Sequence, residues 1–441
     1  GVTLVQKEMV YTEAARAIND DLSIPAALPA LAAVLKDTKF RSEAFLRRAI
    51  NAALRVGGEK ELNMVIAFSK RTDITAVIKA EALAALGTWA NPSVLDRVDG
   101  RYRGELTRDL EAVRAFIRPH IAGFLNDSNS ETLVAVAGLL GHLQMEYFND
   151  ALAKIYAETQ DVKVKTAILP VLDQLKYSAM TAIIKSGMED ADENVRTTAL
   201  GLLNDSNVTR DNLPAIVNAI FTKGSIREQQ QLLVVMGKLS PDKTLAILGD
   251  LTAQMRDRKL SQELMLELKE AVEASGSESL KAQLAATQPN QSMIDMYAEA
   301  LYGGNIEAGR DIFYYNSAAQ CMRCHALWKE GGIVGPDVTN IGRVLNREQI
   351  LQALVEPGAR LAPGYGSVAL TLKDGQQVYG VLSKETDEAL TLTTSDAEPL
   401  IIPVARIAKR ENLPSSMPPM GEVLSKREIR DLVAFLAGLG K

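Results

Sequence analysis

The sequence predicts a mainly α-helical protein, in which an array of stacked helix pairs precedes a smaller C-terminal domain that contains an inserted β-meander. Three observations support this fold class. Only 5% of the 441 residues are aromatic, whereas Ala and Leu are abundant, which favours packed helices over a β-sandwich. A helical pattern of apolar residues recurs up to about residue 287. The polar break Gln288–Ser292 then separates this region from a segment of different composition.

The composition also restricts the possible partners. The formal net charge is −6, so a nucleic acid is not expected to bind. No apolar run approaches the ~20 residues that span a bilayer, and two cysteines cannot form a disulfide framework. The N-terminal residues lack a basic segment followed by a long apolar one, so no signal peptide is recognisable. Either none existed, or the chain is processed or truncated.

The first region contains a repeat of 31 residues. Apolar residues at this spacing begin four predicted helices, and a second apolar residue follows each of them seven positions later. The two rows are Leu133, Val164, Val195 and Ile226, and Leu140, Val171, Leu202 and Leu233. Seven residues return to the same helix face, so both rows are predicted to point inward. This self-similarity indicates a solenoid of helix pairs, and Asp192–Arg196 resembles the start of a HEAT-type repeat.

We therefore assign residues 1–287 to a HEAT-like repeat domain of about eight helix pairs. The pairs are predicted to begin near residues 8, 40, 75, 130, 162, 193, 225 and 260. Asn91–Thr107 contains Pro92 and two glycines and is predicted to be an inserted loop. Leu and Ala at helical spacing are expected to form the core, and the charged residues to form solvated faces.

The C-terminal domain, residues 288–441, contains both cysteines in the run Cys321-Met322-Arg323-Cys324-His325. C-x-x-C-H is the attachment site of a c-type haem, in which two thioether bonds hold the porphyrin and the next His ligates the iron. One turn from Cys321 to Cys324 lets both sulfurs reach one edge of the macrocycle. A redox-active C-x-x-C pair lacks its βαβ context here, and a zinc site lacks a second Cys/His pair.

The sixth ligand of the iron is predicted to come from the loop before the last helix. The other two histidines, His120 and His142, lie on repeat helices, where structural roles are expected. Met417 precedes a proline pair, as distal ligands do in many cytochromes c, and is the preferred ligand. Met420 is the alternative, and otherwise packs as an apolar side chain. His/Met coordination raises the reduction potential and suits electron transfer.

The flanking segments are typical of a class I cytochrome c. Asn305–Tyr315 predicts its first helix, Arg347–Leu354 its middle helix, and Ser425–Glu428 is a capping box that opens the last helix, Lys426–Leu439. Gly309 and Phe435 fit the close crossing of the first and last helices.

Residues 366–410 are an insertion between the middle helix and the methionine loop. Alternating apolar residues and the turn Asp374-Gly375 predict a β-meander there. Its predicted strands begin at Val368 and cover 378–382, 389–392 and 400–407.

Gly309–Leu439 resembles the haem-binding domain at the C-terminus of large secreted dehydrogenases from planctomycete- and verrucomicrobia-type bacteria. The shared features are C-x-x-C-H, G-P-D-x-T-x-I-G, the inserted segment and the run S-S-M-P-P-M-G. In that family a β-propeller and HEAT-like repeats precede the cytochrome, and Glu13–Asp20 looks like its first repeat. The resemblance implies that the carbonyl oxygen of Pro336 holds the proximal histidine through Nδ1–H. The oxidising propeller has no counterpart in this sequence.

The favoured function is an electron-transfer module with one covalent haem c. It would receive electrons from a dehydrogenase domain or protein and pass them to a soluble or membrane acceptor. Two alternatives are a haem-based sensor or enzyme with a displaceable methionine, and a HEAT-type binding scaffold whose haem is incidental. No substrate-oxidising site is recognisable. Arg343 and Arg360 could neutralise haem propionates or be solvated. A periplasmic or cell-surface location is expected, because haem attachment occurs outside the bacterial cytoplasm.

Overall fold

The computed structural model describes residues 4–286, 292–360, 362, 364–394 and 398–441. These residues are mainly helical with a small antiparallel sheet. They pack as two compact units, residues 1–203 and 204–441. The predicted domain boundary, between residues 287 and 288, lies outside the described part of the chain and stays a prediction. The helices of 213–285 belong to the same compact unit as the C-terminal region.

The first unit consists of helices that pack in pairs. Its eleven α-helices among the described residues are α1 (Leu4–Asn19), α2 (Leu28–Ala33), α3 (Glu43–Val56), α4 (Glu59–Ser69), α5 (Ala76–Gly87), α6 (Leu110–Leu125), α7 (Ser130–His142), α8 (Asn149–Glu158), α9 (Val162–Gln174), α10 (Met180–Met188) and α11 (Glu193–Gly201). Each of α3, α5, α7, α9 and α11 packs against the helix before it. The same five helices also stack on one another in order. Helices thus begin near the predicted starts of the pairs, but of its two neighbours along the chain each repeated helix packs mainly against the helix before it, whereas the predicted pairs join it to the helix that follows.

Side-chain caps fix where the repeated helices start. Asn129, Asp161 and Asp192 accept backbone N–H bonds in the first turns of α7, α9 and α11, and Ser225 caps the next repeated helix. The buried third positions of these helices are Thr132, Val164, Val195 and Glu228. The repeat is therefore 32, 31 and 33 residues long. The constant 31-residue spacing is therefore wrong at two helices. It predicts Leu133 and Ile226, whereas the equivalent buried residues are Thr132, one position earlier, and Glu228, two positions later. The spacing varies because the connections between helices differ in length.

The predicted loop Asn91–Thr107 is confirmed, since residues 88–109 contain no helix and only one isolated bridge, Leu95 with Tyr102. Buried charges hold the base of this loop. Arg103 donates to Asp96 at 3.0 Å, and Asn51 donates to the same carboxylate at 2.8 Å. Burial raises the pKa of Asp96, but the bond from the backbone N–H of Val98, together with these two bonds, lowers it below its ordinary value. The loop is thus anchored to α3.

The second unit joins five repeat helices to the C-terminal region. Its helices are α12 (Leu213–Lys223), α13 (Ile226–Met236), α14 (Pro241–Arg256), α15 (Met265–Ala274), α16 (Glu278–Ala285), α17 (Ile306–Tyr315), α18 (Cys321–Cys324), α19 (Ile341–Val344), α20 (Arg347–Val355) and α21 (Lys426–Gly438). A buried apolar cluster gathers side chains of α17, α20 and α21. The predicted capping box at Ser425 and Glu428 is confirmed.

The inserted segment forms a five-stranded antiparallel sheet that follows the short hairpin β1 (Ala326–Leu327) and β2 (Glu330–Gly331). Its strands are β3 (Ser367–Leu372), β4 (Gln377–Glu385), β5 (Ala389–Thr393), β6 (Leu400–Pro403) and β7 (Ile407–Asn412). The order is β6-β5-β4-β3-β7. The first four strands form the predicted meander, whereas the predicted single strand over 400–407 is wrong. Val404–Arg406 makes a 3-10 turn after Pro403, which lacks an N–H, and β7 then pairs with β3.

Candidate functional site

The two cysteines lie on one short helical turn, α18. The backbone N–H of His325 donates to the carbonyl of Cys321 at 2.9 Å, and Gln320 enters the turn with a positive φ of 47°. A spacing of three residues places both thiols on the same side of the turn. Cys321, Cys324 and His325 are each half-buried. The turn thus has the arrangement that the sequence predicts for C-x-x-C-H.

His325 is held in one orientation. Its Nδ1 lies 2.9 Å from the carbonyl oxygen of Pro336, and this contact confirms the one that the resemblance implies. Since a carbonyl oxygen can only accept, Nδ1 carries a proton, and the nitrogen that this contact leaves for a ligand bond is Nε2. The loop is further fixed where the N–H of Gly335 donates to the carbonyl of Cys324 at 2.7 Å. The imidazole is therefore oriented as a metal ligand through Nε2.

Three glycines pack against the cysteine turn, and their role was not recognised from the sequence. A Cβ on Gly335 would lie 2.6 Å from Cε1 of His325, and one on Gly332 would lie 2.1 Å from the carbonyl oxygen of Arg323. Gly331 has a φ of 107° and faces the carbonyl of His325. Only glycine allows this loop to lie directly on the turn. The signal available in the sequence is the close spacing of three glycines over residues 331–335.

The turn is supported by the crossing of α17 and α21. A Cβ on Gly309 would lie 2.0 Å from the carbonyl oxygen of Asp431 and 2.8 Å from Cβ of Phe435, so the two backbones are in direct contact. The rings of Phe313 and Phe435 pack with centroids 5.9 Å apart. At the start of α17 the N–H of Asn305 donates to Asp431 at 2.8 Å. The predicted close crossing at Gly309 and Phe435 is therefore present.

The two candidate methionines differ in their surroundings. Met420 is 3% exposed and belongs to the apolar core between α20 and α21. Met417 is half-buried and packs against the edge of the same core, as Cys321 does. A thioether at the edge of the core is accessible to a bound group, whereas a thioether within the core is enclosed by neighbouring side chains. This difference favours Met417 over Met420 as a ligand, although the assignment stays a prediction.

The electrostatics of the turn disfavour thiolate chemistry. Burial raises the pKa of the Cys321 thiol to about 11. A disulfide oxidoreductase needs the opposite shift, because its nucleophile is the thiolate. Among the described residues, no group of three or more His, Cys, Asp or Glu side chains could hold a metal ion.

The remaining candidates lie elsewhere in the chain. His120 and His142 are on α6 and α7, where Nδ1 of His120 lies 3.0 Å from Nζ of Lys70 and Nδ1 of His142 lies 2.7 Å from the carbonyl oxygen of Gly138. Burial and Lys70 lower the pKa of His120. Arg343 and Arg360 are both exposed. None of the helices in the described part of the chain has the length and hydrophobicity of a membrane span.

Comparison with known proteins gives little guidance on function. No protein-family model and no curated protein matches this chain. Among solved structures, a chain in the complex of CpcE and CpcF of phycocyanin lyase from Nostoc sp. PCC7120 matches with 18% identity and a TM-score of 0.29. The match covers 64% of this chain and 91% of that chain. At this TM-score the similarity carries no argument about fold or function.

Proposed function

We propose that this chain is an electron-transfer module of the c-type cytochrome class with one covalently bound haem c. Cys321 and Cys324 would form the thioether bonds, and His325 and Met417 would ligate the iron. The observation that carries the proposal is the orientation of His325 by Pro336 directly after a helical C-x-x-C turn. The donor set fits the group, because Cys321 and Met417 pack against the same apolar core, and Cys324 and His325 follow Cys321 on the adjoining turn.

The protein residues would hold the group and tune its surroundings. The Pro336 carbonyl fixes the tautomer of His325 and raises its basicity as a ligand. Met417 would supply a second ligand, and the core of α17, α20 and α21, against which Met417 packs, would help to exclude water from the group. When bound, a haem with this ligation supplies a one-electron couple of raised potential. A HEAT-like solenoid for residues 1–287, a class I cytochrome c domain for 288–441 and a periplasmic or cell-surface location complete the proposal.

The electron donor is proposed to be a dehydrogenase, as a preceding domain or a separate protein. Helix α1 exposes Met9 and Val10, which are 63% and 64% exposed, and Leu22 and Ile24 follow it at the surface. Exposed apolar residues that lie near one another mark interaction sites. We infer that the donor docks on this apolar surface. Met9→Glu with Val10→Glu should then slow haem reduction by the dehydrogenase and leave the haem spectrum unchanged.

Covalent attachment is the direct test. The full chain is produced with a haem-attachment system and run on a denaturing gel that is stained for haem, beside Cys321→Ser and Cys324→Ser variants. We expect a haem-stained band that is weakened in each single variant and lost in the double variant. Haem that is released by acid–organic extraction would contradict the proposal. A spectrum that changes on adding carbon monoxide would favour the sensor or enzyme alternative instead.

A further inference from the structure

A buried carboxylate joins a repeat helix to the last helix of the chain. Glu267 of α15 has a fully buried side chain. It accepts hydrogen bonds from Arg427 at 2.7 Å and from Arg430 at 2.9 Å, both on α21. Arg430 is itself only 4% exposed in its side chain. We call Glu267, Arg427 and Arg430 the anchor cluster.

A second carboxylate reinforces the connection. Glu299 is 2% exposed in its side chain and lies 2.6 Å from Nζ of Lys426 on α21 and 3.2 Å from Nζ of Lys269 on α15. Lys426 also donates to the carbonyl of Met296 at 2.6 Å. The first turn of α21 is therefore held by carboxylates from two directions. Both lie outside the helix that they hold.

This first turn directly follows the loop that contains the candidate distal ligand. Met420 and Leu424 are buried in the same core as Ile429 and Leu432 of α21. The N–H of Leu424 donates to the carbonyl of Met420 at 2.8 Å, and Ser425 then caps the helix. Tyr297 lies against the loop so closely that a Cβ on Gly421 would be 2.1 Å from its hydroxyl oxygen. A movement of the first turn of α21 therefore has to move this loop.

The charges make the connection sensitive to a single change. A buried ion pair contributes little net stability, but removal of one partner leaves the other charge buried without compensation. Glu267→Gln would remove the charged hydrogen-bond partner of Arg430 and leave it with one charged neighbour, the carboxylate of Asp431 at 3.9 Å. The Arg430 side chain would regain solvation when the start of α21 moves away from α15. The loop over residues 413–424 would move with it.

We propose that Glu267 is a positioning residue for the distal ligand, acting through Arg427 and Arg430 on α21 to hold the Met417 loop. This inference rests on the proposed haem function. In this proposal, helix α15 of the repeat region lies outside the predicted cytochrome domain but controls how firmly Met417 is held.

The test compares Glu267→Gln with Glu273→Gln in the full chain. Glu273 lies on the same helix, is 71% exposed in its side chain and pairs with Lys281 at 3.4 Å, so it undergoes the same chemical change at a solvated site. Imidazole competes with methionine for the iron of ferric haem. Its apparent affinity therefore rises when the loop that holds Met417 opens more often. We expect about tenfold tighter imidazole binding in Glu267→Gln, since a charged hydrogen bond is lost. Glu273→Gln should bind as the wild type does.

A second readout needs no haem. Hydrogen exchange of residues 413–424 in the haem-free full chain should be faster in Glu267→Gln and unchanged in Glu273→Gln. If covalent haem is absent but exchange behaves in this way, the haem function fails and with it the role towards a ligand, whereas the hold of Glu267 on the loop over residues 413–424 stands. If haem is attached and neither readout changes, the positioning role is refuted and the haem function stands.

The double variant Glu267→Gln with Arg430→Gln separates positioning from stability. It removes the uncompensated buried charge, so the melting temperature should recover most of the loss. Imidazole binding should remain tight, because the bond between Arg430 of α21 and Glu267 of α15 is still missing, and only Arg427 still pairs with a carboxylate of α15, that of Glu270. If imidazole affinity returns to the wild-type value together with the melting temperature, Glu267 has only a structural role and the proposal is wrong.

Discussion

The two methionines of the distal loop allow one prediction that separates ligation from packing. Met417→Leu and Met420→Leu both remove a sulfur atom and nearly conserve volume, so each should change the free energy of unfolding by less than about 1.5 kcal/mol. Since Met417 is at the edge of the core and Met420 is within it, only Met417→Leu should abolish the sulfur–iron charge-transfer band. It should also lower the reduction potential.

Truncation to alanine should lower the stability of the protein more at Met420 than at Met417. Met420 is 3% exposed, so Met420→Ala in the haem-free chain should lower the free energy of unfolding by about 2–5 kcal/mol. Met417 is half-buried, so Met417→Ala should cost about half as much or less. Denaturant unfolding measures the first quantity, and absorbance of the ferric holoprotein measures the band. Loss of the band in Met420→Leu alone would assign the ligand to Met420, and retention in both leucine variants would exclude both methionines.

Three further predictions test the frame around the site. Gly309→Ala should destabilise the crossing of α17 and α21 by about 1–3 kcal/mol, because its Cβ would lie 2.0 Å from the Asp431 carbonyl oxygen. Hydrogen exchange of both helices measures this effect, and Gly438→Ala in open space is the control. Gly335→Ala should displace the His325 ring, which would shift the NMR resonances of the ring and lower the yield of covalent haem. Gly358→Ala is the control and should change neither quantity. Unchanged ring resonances in Gly335→Ala would contradict the packing of Gly335 against His325. Hydrogen bonds from Lys243 and Ser240 lower the pKa of Asp205 from 3.8 to about 2. This carboxylate therefore stabilises the fold above pH 3.8, and the effect is lost as the pH falls towards 2. The melting temperature of Asp205→Asn should be below that of the wild type at pH 7 and converge with it in acid, and a constant difference would refute the assignment.

Local patterns predicted much of the secondary structure. The capping box at Ser425, the helix around Gly309 and the turn at Asp374-Gly375 depend on neighbouring residues, and each is present in the structure. The repeated helices were predictable for the same reason, because the apolar spacing along a helix is a local property. The constant 31-residue register was less accurate, since the lengths of the connections vary without a local signal in the apolar pattern.

The strand order and the packing of the loops depended on tertiary structure. Nothing local indicates that β7 leaves β6 and pairs with β3, because antiparallel pairing between distant strands depends on the whole sheet. Likewise, the need for glycine at 335 is visible only when the ring of His325 is placed against it.

The sequence by itself determined the chemistry of the candidate site: two thiols one turn apart, an adjacent imidazole and a thioether in a proline-rich loop. Residue type and spacing are sufficient for that inference, because covalent attachment of a haem would require two cysteines and a histidine at this local spacing. Only the tertiary structure decided which methionine is buried and which lies at the edge of the core. It alone placed Glu267 against Arg430, 163 residues away. Burial and ion pairing between distant segments arise from packing, and a charged residue on a helix has the same local pattern whether it faces solvent or a buried partner.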